Sequence, residues 1–226
     1  MKRNQSINLS SSNIEIHKKR IAYHESGHAV AILMSNKLKQ LPPVSFQITF
    51  KNTSQNANPK SSHGYTVDED YSAIVNGGRH IKTIPKSADC LSSHIGLYIE
   101  RNSEKNIKDF FTAFETDVIN LLIGPIVEAK YVAMSDGEVF NQNLINLDAL
   151  HNYGGSSDLA SINQYLVCFS KCKDQQNQLI SKLLTQSFDF INNTSNWKKI
   201  IQLADYIYEE DIKTIDSKQV NLLLNS

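Results

Sequence analysis

Apolar residues recur along most of this chain three and four positions apart, which is the spacing of one helix face. The pattern therefore predicts a mainly α-helical protein. The predicted helices cover residues 13–37, 109–134, 156–169, 179–191 and 197–208, with a short last helix around residues 220–224. Asn13 is suited to cap the first helix, and Leu41-Pro42-Pro43 ends it because proline cannot continue a helix.

One segment follows a period of two instead. Val44, Phe46, Ile48 and Phe50 alternate with polar residues, which predicts a half-buried strand. A shorter strand over residues 63–67 is predicted to pair with it, giving a small β-hairpin or short sheet beside the first helix. Two interpretations of the longer strand remain open. An edge strand could bind an extended peptide by strand addition, whereas an internal strand would belong to the core.

Composition narrows the class of protein. The 226 residues carry 23 Lys+Arg and 23 Asp+Glu, so the net charge is zero and no nucleic-acid partner is expected. Three cysteines are too few for a disulfide scaffold and indicate a reducing compartment. Neither a signal peptide nor a membrane segment is recognisable, so we expect a cytoplasmic protein. Residues 1–12 are predicted to form a flexible tail, and residues 13–226 one domain.

The strongest chemical signal is His24-Glu25-Ser26-Gly27-His28. Residues four apart share a helix face, so His24 and His28 can bind one metal ion. Glu25 lies one position round the helix, where it can act on a water molecule beside the metal. This is the H-E-x-x-H pattern of zinc peptidases. The alternative is an amphipathic helix with two partly exposed histidines and no metal.

A catalytic zinc needs three protein ligands and one open position. The spacing after His28 does not provide a third histidine of the metzincin type, because Ala31 and Met34 occupy the required positions. Two carboxylates remain as candidates. Glu128 lies on the second long helix, and Asp158 lies at the start of the next one. Composition does not choose between them.

The segment from Ile21 to Val30 closely resembles the zinc helix of the FtsH family of ATP-dependent zinc metalloproteases. Weaker resemblances follow in the family's order at residues 63–66, 122–128 and 155–159, and the likeness extends over roughly residues 14–225. The resemblance implies that His24, His28 and Asp158 bind zinc and that Glu25 is the catalytic base. It implies that Glu128 supports a ligand or packs between helices, with direct ligation as the alternative.

The chain also departs from that family. It contains no G-x-x-x-x-G-K-[ST] phosphate loop, and residues 68–108 and 135–153 look like insertions. We therefore expect a zinc metalloendopeptidase that hydrolyses unfolded or extended polypeptides without an ATPase module of its own. A separate ATPase partner and a homo-oligomer are both compatible with the sequence. The rival hypothesis is a non-catalytic, metal-binding regulatory or interaction protein, which would have no need of Glu25.

Overall fold

A computed structural model describes residues 5–52, 71–82, 84 and 104–226. Seven helices are present in these ranges: α1 Gln5–Leu38, α2 Glu104–Ser135, α3 Leu147–Leu150, α4 Ser156–Phe169, α5 Lys173–Asn192, α6 Thr194–Glu209 and α7 Ser217–Asn225. Three strands accompany them: β1 Phe46–Asn52, β2 Tyr71–Gly77 and β3 Thr214–Asp216. The predicted class, mainly α with a short sheet, is confirmed.

Helix α1 is longer than the sequence predicts. It begins at Gln5 rather than near Asn13, so residues 5–12, which were predicted to lie in the tail, are helical. No proline or glycine interrupts this stretch, which leaves the helix free to extend. The other end agrees with the prediction. Leu41 donates its backbone N–H to the Asn36 carbonyl at 2.9 Å, and Gln40 takes a left-handed conformation with φ 55°, as in a Schellman ending.

The sheet is antiparallel with the order β2-β1-β3, so β1 is the central strand. Ile48 lies opposite Val75 on one side and Ile215 on the other. Phe46, Ile48 and Phe50 are buried, which confirms the alternating pattern. The interpretation of this strand as an edge is wrong, because both of its sides are paired. The strand predicted over residues 63–67 lies outside the described residues, and the partner seen beside β1 is β2.

Helix α1 occupies the middle of the molecule. It packs against α2 and α6, and the sheet lies beside it through β2. Four consecutive residues from Ala29 to Ile32 are buried, since neighbours surround this part of the helix on several sides. A buried histidine pair here therefore needs polar partners from neighbouring elements, because buried polar groups are costly unless hydrogen-bonded.

Among the described helices, α2 alone meets the length and hydropathy criteria of a membrane span, over Lys108–Ser135. Within the protein, 78% of its most apolar window is buried. A core helix that is covered on most sides passes the same criteria. The apolar character of α2 is accounted for by its packing against α1, α4 and α5.

Candidate metal centre

Helix α1 brings two imidazoles to one point. His24 and His28 lie one turn apart and each is only 6% exposed. Their Nε2 atoms are 3.1 Å apart, and their rings meet edge to face with centroids 4.8 Å apart. The helix sets this proximity, because side chains four positions apart lie one above the other on the same face.

A carboxylate from a second helix completes the group. Asp158 lies in the first turn of α4, and its Oδ2 is 3.2 Å from His24 Nε2 while its Oδ1 is 3.5 Å from His28 Nε2. A metal ion with tetrahedral ligands at zinc distances places neighbouring ligand atoms about 3.3 Å apart. The three side chains therefore fit one metal ion, and their donor atoms all lie within 4.8 Å of one another.

In both histidines, the Nδ1 atom, which faces away from Asp158, contacts a polar partner. His28 Nδ1 donates to the main-chain oxygen of Asn120 at 2.7 Å, and His24 Nδ1 lies 3.0 Å from Glu128 Oε2. When Nδ1 carries the hydrogen of a neutral imidazole, Nε2 presents its lone pair to the metal. Glu128 thus contacts His24 on the side opposite Asp158, which favours Asp158 as the third ligand and Glu128 as the residue that orients His24.

Glu128 is itself held in place. Arg20 approaches Glu128 Oε1 at 2.8 Å from Nη2 and donates from Nε at 2.9 Å. Burial alone would raise the pKa of Glu128, but the hydrogen bond with His24 and the charges of His24 and Arg20 outweigh it and lower that pKa. The carboxylate is consequently ionised at neutral pH and remains an acceptor for the imidazole.

Burial and neighbouring charges also oppose each other in setting the pKa values of Asp158 and His24. Burial would raise the pKa of Asp158, but the nearby histidines hold that pKa well below its usual range. For His24, burial acts to lower the pKa, and hydrogen bonds with Asp158 and Glu128 reverse the effect and raise it. Without a metal, the centre therefore pairs ionised carboxylates with a His24 that holds its proton tightly, and a bound metal ion would displace that proton.

Glu25 lies in the same buried region without being part of the three-residue group. It is 6% exposed, and its Oε2 has no hydrogen-bond partner among the described residues. Burial raises the pKa of this carboxyl, with the charges of His24 and His28 acting against the rise. A carboxylate with a raised pKa and a free oxygen is suited to accept a proton.

A cavity of about 440 Å³ joins these side chains. His24, Glu25, His28 and Asp158 line it, and the strand residues from Ser72 to Val75 line it as well. Within the part of the chain that the structure describes, β2 is the end strand of the sheet and pairs only with β1. The cavity therefore brings the candidate metal ligands close to the end strand of the described sheet.

Asp117 fixes the segment that follows this edge strand. Its carboxylate accepts the backbone N–H of His80 at 3.0 Å and of Ile81 at 2.8 Å. The hydroxyl of Tyr165 on α4 donates to the same carboxylate at 2.9 Å. One buried side chain thus connects the end of β2, helix α2 and helix α4, which carries Asp158.

Sequence reasoning missed two glycines that the site requires. A Cβ atom at Gly124 would lie 2.2 Å from His28 Nε2, so only glycine leaves room for that ring. Gly154 has φ +68°, and a Cβ there would approach Glu128 Oε2 to 2.9 Å. A glycine inside the apolar pattern of a helix indicates that another group comes close, but it does not identify that group.

His151 is exposed and is not part of the metal-ligand group.

No protein-family model, curated protein or solved structure matches this chain. The resemblance to the FtsH peptidase domain therefore rests on the sequence blocks alone and remains a hypothesis. The grouping of His24, His28 and Asp158 stands independently of that resemblance, since it follows from the packing of α1 and α4 against α2.

Proposed function

We propose that this protein is a zinc-dependent endopeptidase that hydrolyses unfolded or extended polypeptides. One observation carries the proposal: the His24, His28 and Asp158 group shares a cavity with the buried carboxylate of Glu25, one oxygen of which is unpartnered among the described residues. A site that only stores a metal has no use for such a carboxylate. Burying this oxygen without a partner costs free energy, and a role as proton acceptor explains why the oxygen is left unpaired.

Zinc is the metal we propose because of the ligand types. Two imidazoles and one carboxylate form a set typical of catalytic zinc, which leaves a fourth position open. Harder ions such as magnesium and calcium prefer oxygen ligands alone. Metal analysis of protein purified without chelators is expected to give one zinc per chain. Two or more metals per chain, or none after zinc is supplied, would contradict the assignment.

The residues divide the chemistry among them. Zinc held by His24, His28 and Asp158 would polarise the peptide carbonyl and lower the pKa of a water molecule. Glu25 would move the proton: its unpartnered oxygen would accept a proton from the attacking water and deliver it to the leaving amine. Glu128 and the Asn120 carbonyl keep the two imidazoles oriented through both steps, because each holds the opposite ring nitrogen.

Strand β2 suggests how a substrate would lie. An extended chain that pairs with β2 on the side away from β1 would run along the cavity wall formed by residues 72–75. Strand addition uses main-chain hydrogen bonds, so it accepts many sequences provided that the segment is unfolded. The proposal therefore places substrate binding at β2 and not at β1, which the sequence suggested and which is paired on both sides.

The substitution Glu25→Gln tests the proposal. It keeps the shape of the side chain but removes the proton acceptor, so peptide hydrolysis should fall by a factor of about 10² to 10⁴ while zinc binding is retained. Glu138→Gln, at an exposed glutamate, is the matched control and should cleave as the natural protein does. Hydrolysis of a casein digest is measured with and without chelator. Full activity of the Glu25 variant would refute its role as the base.

A further inference from the structure

Asn120 is a buried polar residue whose main-chain oxygen contacts His28 but whose side-chain amide has no role in the proposed chemistry. It lies on α2, is 5% exposed and lines the cavity that contains the metal ligands. Neither Oδ1 nor Nδ2 has a hydrogen-bond partner among the described residues. An amide can accept at its oxygen and donate two hydrogens at its nitrogen, so its whole bonding capacity is unused there.

The position of Asn120 relates it directly to the site. Its main-chain oxygen accepts the hydrogen bond from His28 Nδ1, so the residue lies beside a metal ligand. Gly124 and Glu128 follow at intervals of four on the same helix face, one against His28 and the other against His24. The side chain of Asn120 thus belongs to the same row of α2 and lines the cavity together with His28.

Within the described ranges, no structural partner accounts for the amide of Asn120. An apolar residue of the same size would fill the space without leaving a donor and an acceptor unpaired, and would be more stable there. Buried polar groups without partners are therefore expected where a ligand supplies the partners. Asn120 differs in this respect from Asp117 three positions earlier, whose oxygens are all engaged by backbone and tyrosine donors.

The chemistry of the amide indicates the kind of ligand group. It is neutral and offers a donor and an acceptor together, which matches the N–H and C=O of a peptide backbone. A charged ligand group would be met by a side chain of opposite charge. We propose that Asn120 hydrogen-bonds a backbone peptide group of the substrate, opposite the segment that pairs with β2. This inference rests on the proposed peptidase function and adds a substrate-contacting residue to it.

The test removes the amide while keeping its shape. Asn120→Leu is made both in the natural protein and together with Glu25→Gln, in which bound peptide should be hydrolysed about 10² to 10⁴ times more slowly. Binding of a fluorescent casein-derived peptide to the zinc-loaded Glu25→Gln protein should weaken by a factor of about 10 when Asn120→Leu is added. In the protein that retains Glu25, kcat/KM should fall at least as far. Zinc content should be unchanged, and resistance to urea should be equal or higher.

The peptide supplies a complementary test. Peptides that are methylated at one backbone nitrogen at a time should include one whose methylation weakens binding when Asn120 is present but not when the protein carries Asn120→Leu. Such a non-additive pair identifies the peptide group that the amide contacts. Additive losses at every position would overturn the inference, as would unchanged binding and kcat/KM in the Asn120→Leu protein.

The outcomes separate this inference from the proposed function. Suppose that the natural protein hydrolyses no peptide but that Asn120→Leu still weakens peptide binding about tenfold. The proposed peptidase function is then refuted, and the contact between Asn120 and the peptide is supported. If hydrolysis proceeds equally well without the amide, the contact fails and the peptidase stands. Loss of zinc or of folding in the Asn120→Leu protein would point to a structural role, and Asn120→Ala then repeats the comparison with a smaller side chain.

Discussion

At the scale of single residues, the candidate metal centre depends on which ring nitrogen of each histidine is available to bind a metal ion. Both histidines use Nδ1 for a contact away from the cavity, which leaves the two Nε2 atoms close to Asp158. The two candidate carboxylates therefore have different positions. Asp158 approaches the nitrogen atoms that can bind metal, whereas Glu128 approaches only the opposite nitrogen of His24 and is held by Arg20.

Paired substitutions distinguish these positions. Asp158→Asn removes a charged ligand, so zinc binding at one per chain should be lost at micromolar concentrations. Glu128→Gln removes only the acceptor that orients His24, and such partners typically contribute a factor of about 10 to 100 to metal affinity. Affinity is measured by competition with a chromogenic chelator. A larger loss in Glu128→Gln than in Asp158→Asn would show that Glu128 is the third ligand.

Ser26 gives a prediction about stability. It lies between the two histidines of α1, is fully buried, and its hydroxyl has no hydrogen-bond partner among the described residues. Ser26→Ala removes this unpaired group and introduces a better helix former, so the free energy of unfolding should rise by about 1 kcal/mol. Urea unfolding followed by circular dichroism measures the change. A decrease would mean that the hydroxyl has a partner in solution.

At the scale of elements, the site depends on how closely α1 and α2 approach. The two helices meet at Gly27 and Gly124, where a Cβ on Gly27 would lie 3.2 Å from the Gly124 Cα. Without side chains at the contact, the backbones come close enough for His28 to lie against α2 and reach the Asn120 carbonyl. The wide apolar faces of both helices supply the driving force, and the glycines determine the distance.

Gly124→Ala tests this contact. The added methyl group would overlap the His28 ring, with a Cβ only 2.2 Å from Nε2, so the ring or the helix must move. Zinc binding should be lost, and overpacking should destabilise the fold by about 1–3 kcal/mol.

Gly137→Ala is the comparison for that substitution. It adds the same methyl group at φ +72° with nothing within 4 Å, so only the backbone strain of about 1–2 kcal/mol is expected there and zinc binding should persist. Zinc titration and urea unfolding of both proteins separate steric loss of the site from general instability. Intact zinc binding by Gly124→Ala would mean that α1 and α2 lie further apart than described.

At the scale of the whole molecule, the candidate metal ligands come from helices distant in sequence, and the proposed substrate-binding strand belongs to the sheet. His24 and Asp158 are 134 residues apart along the chain, and Asp117 connects α2 with α4 and the end of β2. Residues 72–75 of β2 line the cavity together with the candidate metal ligands, an arrangement that suits an extended segment paired with the strand. The sequence contains no phosphate loop that would couple ATP hydrolysis to unfolding.

We therefore expect the protein alone to cleave unfolded casein and to cleave a stably folded domain far more slowly. Local opening of a stable fold costs several kcal/mol, which limits the fraction of substrate that can pair with β2. Added ATP should change neither rate, and chelator should abolish both. ATP-stimulated digestion of the folded domain by this protein alone would refute the proposal that it acts without ATP. Digestion that requires an added ATPase would identify that ATPase as a partner. Zinc-loaded protein that cleaves nothing would support the non-catalytic alternative.

The sequence by itself determined the features that depend on local geometry. The intervals of three and four predicted the helices, the alternation at 44–50 predicted β1, and the spacing of His24 and His28 placed both on one helix face. The start of α1 was misplaced because a polar segment without proline or glycine gives little signal at a helix end. These successes and errors share one cause, which is that neighbouring residues fix local conformation and leave only the ends weakly defined.

The tertiary structure decided what depends on contacts between distant residues. It placed Asp158, and not Glu128, beside the Nε2 atoms of both histidines, made β1 the central strand of the described sheet, and brought Gly124 against His28. It also left the amide of Asn120 buried in the cavity and unpaired among the described residues. No local pattern encodes these relations, because they follow from the packing of α1, α2 and α4 together, in which the approach of one helix sets the space and the partners available to the others.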